Sequence, residues 1–411
     1  TSNAWVVVSN QVLTVTSNAT VQAGGGIIAD GTGYGGNLGN GAGKYISGSP
    51  TGNVGGGGGY GGNGASGGSN TLAYGGNSYG SVTAPTAYGS SGGSSSSVSL
   101  PPGAGGGAVR MNVTGTLLVN GRISANGGTA PGQGSGGGSG GSVWLTAGTL
   151  AGAGVISANG GAGNGWGGGG GGGRVALQYG VNAFEGTVSA CGGGYAVGGA
   201  GTISTKANSQ TTGQVLVDNC GRSGTNTPVG GLTLFDLVIR GGAVAHPSSP
   251  SLLLSNLVIN SGGVFTCGQG QTNLDVEVLR NATIDAGGIM AVDGRGFTAG
   301  VGPGAGGSSH SIGSGAGYGG NGGASSWSPG GGTYGSAPEP VDWGSGGGLG
   351  YGAATGGSEG GGAIRLTVGG ALTVNGRLSA SGNAGMQDDA GGGSGGSVWL
   401  SAGALAGAGT I

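Results

Sequence analysis

The side chains best suited to acid–base, nucleophilic and metal chemistry are scarce: thirteen carboxylates, two histidines and three cysteines in 411 residues. Asp275, Glu277 and Asp285, with Arg280 nearby, form the densest acidic cluster. Cleavage of a glycosidic bond needs two carboxyls facing each other across a cleft. The i, i+2 spacing of Asp275 and Glu277 instead puts both on one face of a strand, where a solvated rim is the expected role. Asp388 and Asp389 could touch Ca²⁺, but no EF-hand loop or GGxGxD repeat accompanies them. His246 and His310 stand apart from any serine or cysteine in a recognisable nucleophile context, so no triad is expected. Gly41 to Lys44 lacks the Walker spacing and the hydroxyl residue after lysine, which excludes a phosphate loop. No catalytic, cofactor-binding or metal site is assigned, and the chain is expected not to be an enzyme.

The three cysteines, Cys191, Cys220 and Cys267, are odd in number and widely spaced, unlike a disulfide scaffold or a zinc site. Cys191 stands in SACGG, where sister segments carry SANGG around Asn126 and Asn159. A buried structural thiol in a repeated slot is the expectation, with a bridge to Cys220 or Cys267 as the alternative. Asn18, Asn112 and Asn281 begin glycan-acceptor triplets, but asparagine in a turn, bonding its own backbone, explains Asn18 and Asn281 as well.

Charge is low, with 11 basic and 13 acidic residues and a net charge of -2. That excludes the positive footprint of a nucleic-acid binder. No apolar run is long enough to span a bilayer and no signal peptide opens the chain. Glycine supplies 120 residues against 12 prolines, without the every-third-residue rule of collagen. Disorder is disfavoured because the hydrophobic 35% is gathered into short β-branched runs.

The elements that position these residues repeat. Arg110, Asn120, Arg122 and Trp144 recur as Arg365, Asn375, Arg377 and Trp399, each 255 positions later. Within that long echo, glycine runs feed short alternating segments such as AVRM at 108–111, SVWL at 142–145 and RVAL at 174–177. Their spacing of 34 and then 32 residues is a coil length. The pattern predicts an all-β chain, a parallel β-helix or solenoid with long glycine-rich inserts. Rungs are expected over 1–30, an insert over 31–107, rungs with short inserts over 108–231 and regular rungs over 232–294. A second insert follows over 295–362, and rungs of the next repeat over 363–411. The inserts are read as polyglycine-II helices, bonded laterally because glycine lets backbones approach closely. Tyr34, Tyr45, Tyr60, Tyr74, Tyr79, Tyr88, Trp327, Tyr334, Trp343 and Tyr351 punctuate them, as core or lid packing or as a sugar-stacking face. The repeated arginines are expected to cap carbonyls of the glycine layer.

The runs GGGSGGSVWL, AGTLAGAGVISANGG and GGGRVAL resemble the glycine-rich tandem-repeat proteins of bacterial surfaces and extracellular fibres. That resemblance implies an extracellular or cell-surface protein without catalytic residues. The functional expectation is a structural subunit of an extracellular filament or surface fibre built from tandem repeats of about 255 residues. Its partners would be itself, by head-to-tail stacking or homopolymerisation, and extracellular polysaccharide. An adhesin or a glycan- or ice-binding module is the alternative, and a polysaccharide-degrading β-helix enzyme is a third reading that lacks its carboxylates.

Overall fold

Alternating aliphatic and small polar residues become strands throughout, and the computed structural model is all-β, with several sheets of a general β-solenoid type. It describes residues 4–46, 54–68, 73–95, 100–351, 358–385 and 388–411. Two compact units divide the chain, Thr1–Ala245 and His246–Ile411.

The first unit opens with β1 (Trp5–Val7), β2 (Asn10–Val15), β3 (Ala19–Val21) and β4 (Gly26–Ile28). Three coils follow, each a long strand and a short one. They are β5 (Ala108–Val119) with β6 (Arg122–Ser124), β7 (Ser142–Gly152) with β8 (Val155–Ser157), and β9 (Arg174–Phe184) with β10 (Thr187–Ser189). β11 (Thr202–Ala207), β12 (Gly213–Asp218) and β13 (Phe235–Arg240) complete the long-strand row. Pairing along β2, β5, β7, β9 and β11 is parallel, and Val109, Val143 and Val175 stand in one register. The short strands stack likewise, aligning Ile27, Ile123, Ile156 and Val188. Each coil thus buries the apolar row of the next. Met111, Leu117, Leu145, Leu150 and Val175 are buried in one cluster, each contributing about 1.5–3 kcal/mol.

In the second unit, β14 (Ser251–Leu254), β15 (Leu257–Ile259) and β16 (Val264–Phe265) make one coil. The next is β17 (Asn273–Val278), β18 (Ala282–Ile284) and β19 (Ile289–Ala291), followed by β20 (Ala363–Val374), β21 (Arg377–Ser379) and β22 (Ser397–Ala406). Leu252, Val276, Leu366 and Leu400 align across β14, β17, β20 and β22. These observations correct the expected filament subunit. A chain of 411 residues cannot hold tandem repeats of about 255, and it is built from many short strands rather than large repeating units.

Turns between coils are locked by side-chain amides and carboxylates. Asp30 Oδ1 accepts the Asn126 amide at 2.7 Å, Asn126 Oδ1 accepts Asn159 at 2.7 Å, and Asn159 Oδ1 accepts Cys191 at 2.8 Å. Asn18 and Asn281 do the same for Thr116 and Ala371. They therefore bond the neighbouring coil rather than their own backbone, because stacked coils bring the next amide within reach. Cys191 ends its ladder, since its side chain has no amide oxygen to accept the next backbone N–H. Asn219 Oδ1 takes the Gly192 amide instead.

Cys191 is bonded to Cys220, with a Cα–Cα distance of 5.9 Å, so the expected free thiol at 191 gives way to the disulfide alternative. Coil stacking brings together two residues that are 29 apart in sequence. Cys267 is the buried free thiol; it donates to the Gln271 carbonyl at 3.1 Å, and burial pushes its pKa up. Replacing Cys191 and Cys220 together by serine is expected to cost the first unit about 3–4 kcal/mol, the loop-entropy value for a closure of this length. A guanidinium unfolding midpoint that does not fall would show that the bridge contributes nothing.

Candidate functional site

The most highly organised polar cluster in the first unit grows from the glycine-flanked Tyr60. That side chain is fully buried, and its hydroxyl lies 2.7 Å from Ser142 Oγ at the head of β7. Ser142 Oγ donates to the Ala87 carbonyl at 2.6 Å, so Tyr60 is the donor to Ser142. Tyr79 packs on Tyr60 with ring centroids 4.8 Å apart, donates to the Tyr88 carbonyl and lies 2.8 Å from Ser90 Oγ. A tight turn makes this possible: Gly80 has φ 74°, and a Cβ there would stand 2.8 Å from the Tyr60 ring.

Arg174, the first residue of β9, pairs with Ser142 across the ladder. Its guanidinium is buried 5.6 Å from the Tyr60 ring centroid. Nε donates to the Tyr79 carbonyl at 2.9 Å and Nη1 to Thr202 Oγ1 at 2.9 Å. Burial pulls the guanidinium down from its usual range, and Tyr60 and Tyr79 oppose that fall. Burial pushes both phenols upward, so they stay protonated donors. The cluster is a cation seated on a ring face and a carbonyl, with no carboxylate in an ion pair to Arg174 among the described residues. The two Arg174 hydrogen bonds tie the start of β9 to the Tyr79 turn and to β11.

The second unit carries a counterpart. Tyr318 reaches Ser397 Oγ at 2.7 Å, and Ser397 Oγ donates to the Asp342 carbonyl at 2.5 Å. Tyr334 packs on Tyr318 at 4.7 Å, accepts from Ser345 Oγ at 2.9 Å and donates to the Trp343 carbonyl.

The residues singled out from sequence are scattered rather than convergent. Asp275 approaches Arg365 at 3.8 Å on a half-exposed face, Glu277 is exposed on the same strand, and Asp285 accepts from Asn260 at 2.6 Å. His246 is partly buried, with Nδ1 2.8 Å from the Pro247 carbonyl, and burial lowers its pKa. The His310 ring lies 4.6 Å from that of Trp327. Among the described residues, no group of three or more His, Cys, Asp or Glu side chains gathers. A cavity of about 220 Å³ in the first unit is bordered by Trp144, Phe235 and Lys206, the one charged residue in its wall.

The repeated arginines do not cap the glycine layer. Arg110 and Arg365 lie over Trp144 and Trp399, at 3.9 and 5.2 Å from the ring centroids. Arg122 binds Asp30 at 2.5 Å and Arg377 binds Asp293 at 2.9 Å. Parallel register sets Arg110 opposite Trp144 and Arg365 opposite Trp399, whereas Arg122 and Arg377, paired with Gly26 and Ile289, reach carboxylates four residues further along the neighbouring coil. The aromatics divide as well. Tyr60 and Tyr318 are buried, whereas Trp166, Tyr195, Trp327 and Tyr351 are exposed. In the sequence, Tyr60 recurs as Tyr318, 258 positions on, and Tyr79 as Tyr334, 255 positions on; Arg174 was not singled out as a site residue, and its signal is an arginine heading an otherwise apolar strand.

No family model, no curated protein and no solved structure matches this chain.

Arg174→Ala is expected to lower the stability of the first unit by about 3 kcal/mol, through loss of the ring contact and two charged hydrogen bonds. Denaturant titration followed by near-ultraviolet dichroism of the tyrosines checks this, and a loss under 1 kcal/mol would refute the role. His246 sets a pH dependence. Its folded pKa lies below the ordinary 6.5, so the unfolded chain binds the proton more readily. Its contribution is present above pH 6.5 and is lost as pH falls through the lower folded value. The thermal midpoint should fall across that window, and His246→Gln should flatten that part of the profile.

Proposed function

We propose that the chain is a non-catalytic structural module: a parallel β-helix whose glycine-rich segments pack beside it as polyglycine-II helices. One observation carries this reading. Around the seven-glycine run, the amides of Gly168 and Gly171 donate to Gly55 and Gly58. Those of Gly169 and Gly172 donate to Ala196 and Gly199, and those of Gly170 and Gly173 to Gly161 and Ala158. Every third amide turns to the same neighbouring segment, and the acceptor moves by three residues. That is the period of a helix with three residues per turn and no internal hydrogen bonds. None of Gly167 to Gly173 has a positive φ, in keeping with one uniform hand.

Such a lattice supports a mechanical role. Its hydrogen bonds run outward in three directions, so each helix ties several segments together and has little freedom to open by itself. The rare charged side chains support it too, since Asp30, Arg122, Asp293, Arg377 and Arg174 are all engaged in holding coils. The Cys191–Cys220 bridge suits an oxidising compartment, so the proposed setting is extracellular or on a cell surface, as in the glycine-rich bacterial surface proteins the sequence resembles. Further copies of the chain are proposed partners. Extracellular polysaccharide is another, favoured by the exposed rings of Trp166 and Tyr195.

Two alanine substitutions test the lattice. A Cβ on Gly169 would drive into the Gly193 carbonyl, whereas one on Gly332 would meet open space. Gly169→Ala is expected to cost about 3 kcal/mol or more, and Gly332→Ala about 0.5 kcal/mol or less. Hydrogen exchange should find the Gly168–Gly173 amides protected in the parent chain and released in the Gly169 variant. Equal tolerance of both substitutions, with fast exchange throughout, would overturn the proposal.

A further inference from the structure

The long strands of the first unit turn one face inward and the other outward. Val109, Val143, Val175 and Ile203 form a buried row. Alternation sends the residues after them to the opposite face, where Arg110, Trp144, Ala176 and Ser204 stand side by side across β5, β7, β9 and β11. Side-chain size falls along that row. The Arg110 guanidinium lies over the Trp144 ring, 3.9 Å from its centroid, and the sheet order puts Ala176 on the ring's other side. A methyl group and then a hydroxymethyl group cannot fill the height that an indole sets. The hollow above them, with Ala176 and Ser204 buried at its floor, is the cavity of about 220 Å³.

The wall has a definite chemistry. Thr83 and residues 232–234, which follow a turn at Gly231 with φ 74°, complete it. Two residues along the strands from Ala176 and Ser204, Gln178 and Lys206 are paired on the same outward face. Gln178 Nε2 donates to Asn208 Oδ1 at 3.3 Å, which steadies the amide. The Lys206 stem runs beside Gly213 of β12, where a Cβ would stand 3.4 Å from its own Cβ. Lys206 forms no ion pair among the described residues. Hydroxyls of Thr83, Ser204, Thr211 and Thr233 share the wall with the Trp144 ring and aliphatic side chains, and no carboxylate is among the described residues that line it.

An aromatic face beside hydroxyls and an amide matches a ring that has one C–H face and a rim of hydroxyl groups. One ammonium and no carboxylate select a negative charge on that ring. The volume lies below the roughly 300–1,000 Å³ of a site for a drug-sized ligand, which leaves room for one such ring.

We propose that this cavity binds a single uronate residue of an acidic polysaccharide. The C–H face of the sugar lies on the side of Trp144 turned from Arg110, its hydroxyls meet Gln178, Ser204 and Thr233, and its carboxylate meets Lys206. The site gives the polysaccharide partner proposed above a definite chemistry and rests on that part of the reading only. The packing of the glycine tracts does not enter.

Calorimetric titration of the full chain with glucuronate and, separately, with glucose tests it. Glucuronate should bind at one site with a millimolar Kd, the scale for a ligand of so few atoms, and several-fold more tightly than glucose. Added salt should shrink that preference. Lys206→Gln, at an exposed position, should weaken glucuronate about fivefold and leave glucose unchanged. Ala176→Leu, which puts a larger side chain into the hollow, should abolish binding of both sugars with the circular dichroism spectrum of the parent retained. No binding of glucuronate, equal affinity for the two sugars, or undiminished binding by the Ala176 variant would each overturn the proposal. Retention on immobilised polyglucuronate separates this failure from that of the wider reading. A polymer that holds the parent and the Ala176 variant equally would put the contact elsewhere, overturning this site and leaving the polysaccharide partner standing. A polymer that holds neither would sink both.

Discussion

Amide satisfaction is the constraint on which this structure depends. A glycine tract has no side chains to bury and no internal hydrogen bonds, so each N–H must find a carbonyl on another segment. Other glycine-rich segments supply most of those carbonyls, at a regular spacing. Gly137 donates to Gly168, Gly168 to Gly55 and Gly55 to Gly134, which ties three separate stretches of chain into one network. Fixing glycine backbones costs about 1–2 kcal/mol per residue, and a hydrogen bond returns about 0.5–1.5 kcal/mol net. The tracts therefore hold only where nearly all their bonds are made, against a frame that is stable by other means.

That frame is the apolar interior of the coils. Ile27, Ile123, Ile156 and Val188 stack in register, and any slip by one residue would turn this row toward solvent. The ladder from Asp30 through Asn126 and Asn159 guards the same register from the turns. Its members accept one amide each from the next coil, so coil length is held at about 33 residues where the asparagines recur. Arg174 then joins frame and glycine layer, since it begins a strand and ends on a carbonyl of the Tyr79 turn.

Much of this was legible in the sequence, and the reasons are specific. Strand segments such as RVAL and SVWL announced themselves by alternation, and their spacing equalled the pairing register later found between Val109, Val143 and Val175. The recurrence of Tyr60 and Tyr79 as Tyr318 and Tyr334 marked the paired clusters. The long echo misled in another respect, suggesting large repeating units where the structure has short strands within coils. Cys191 misled too. Its slot in the asparagine series argued for a small buried side chain, but nothing in the sequence reported that Cys220 comes beside it.

Composition and spacing by themselves determined that the chain is all-β, poor in charge and built in coils, because alternation and coil length are properties of the sequence. Partners were decided only by the tertiary structure. Whether Arg122 caps a carbonyl or binds Asp30, and whether Arg110 meets a carboxylate or Trp144, depends on which coil lies alongside and in what register. The same holds for each glycine amide, since a residue without a side chain carries no local mark of its acceptor. Backbone approach from segments far apart in sequence settles it.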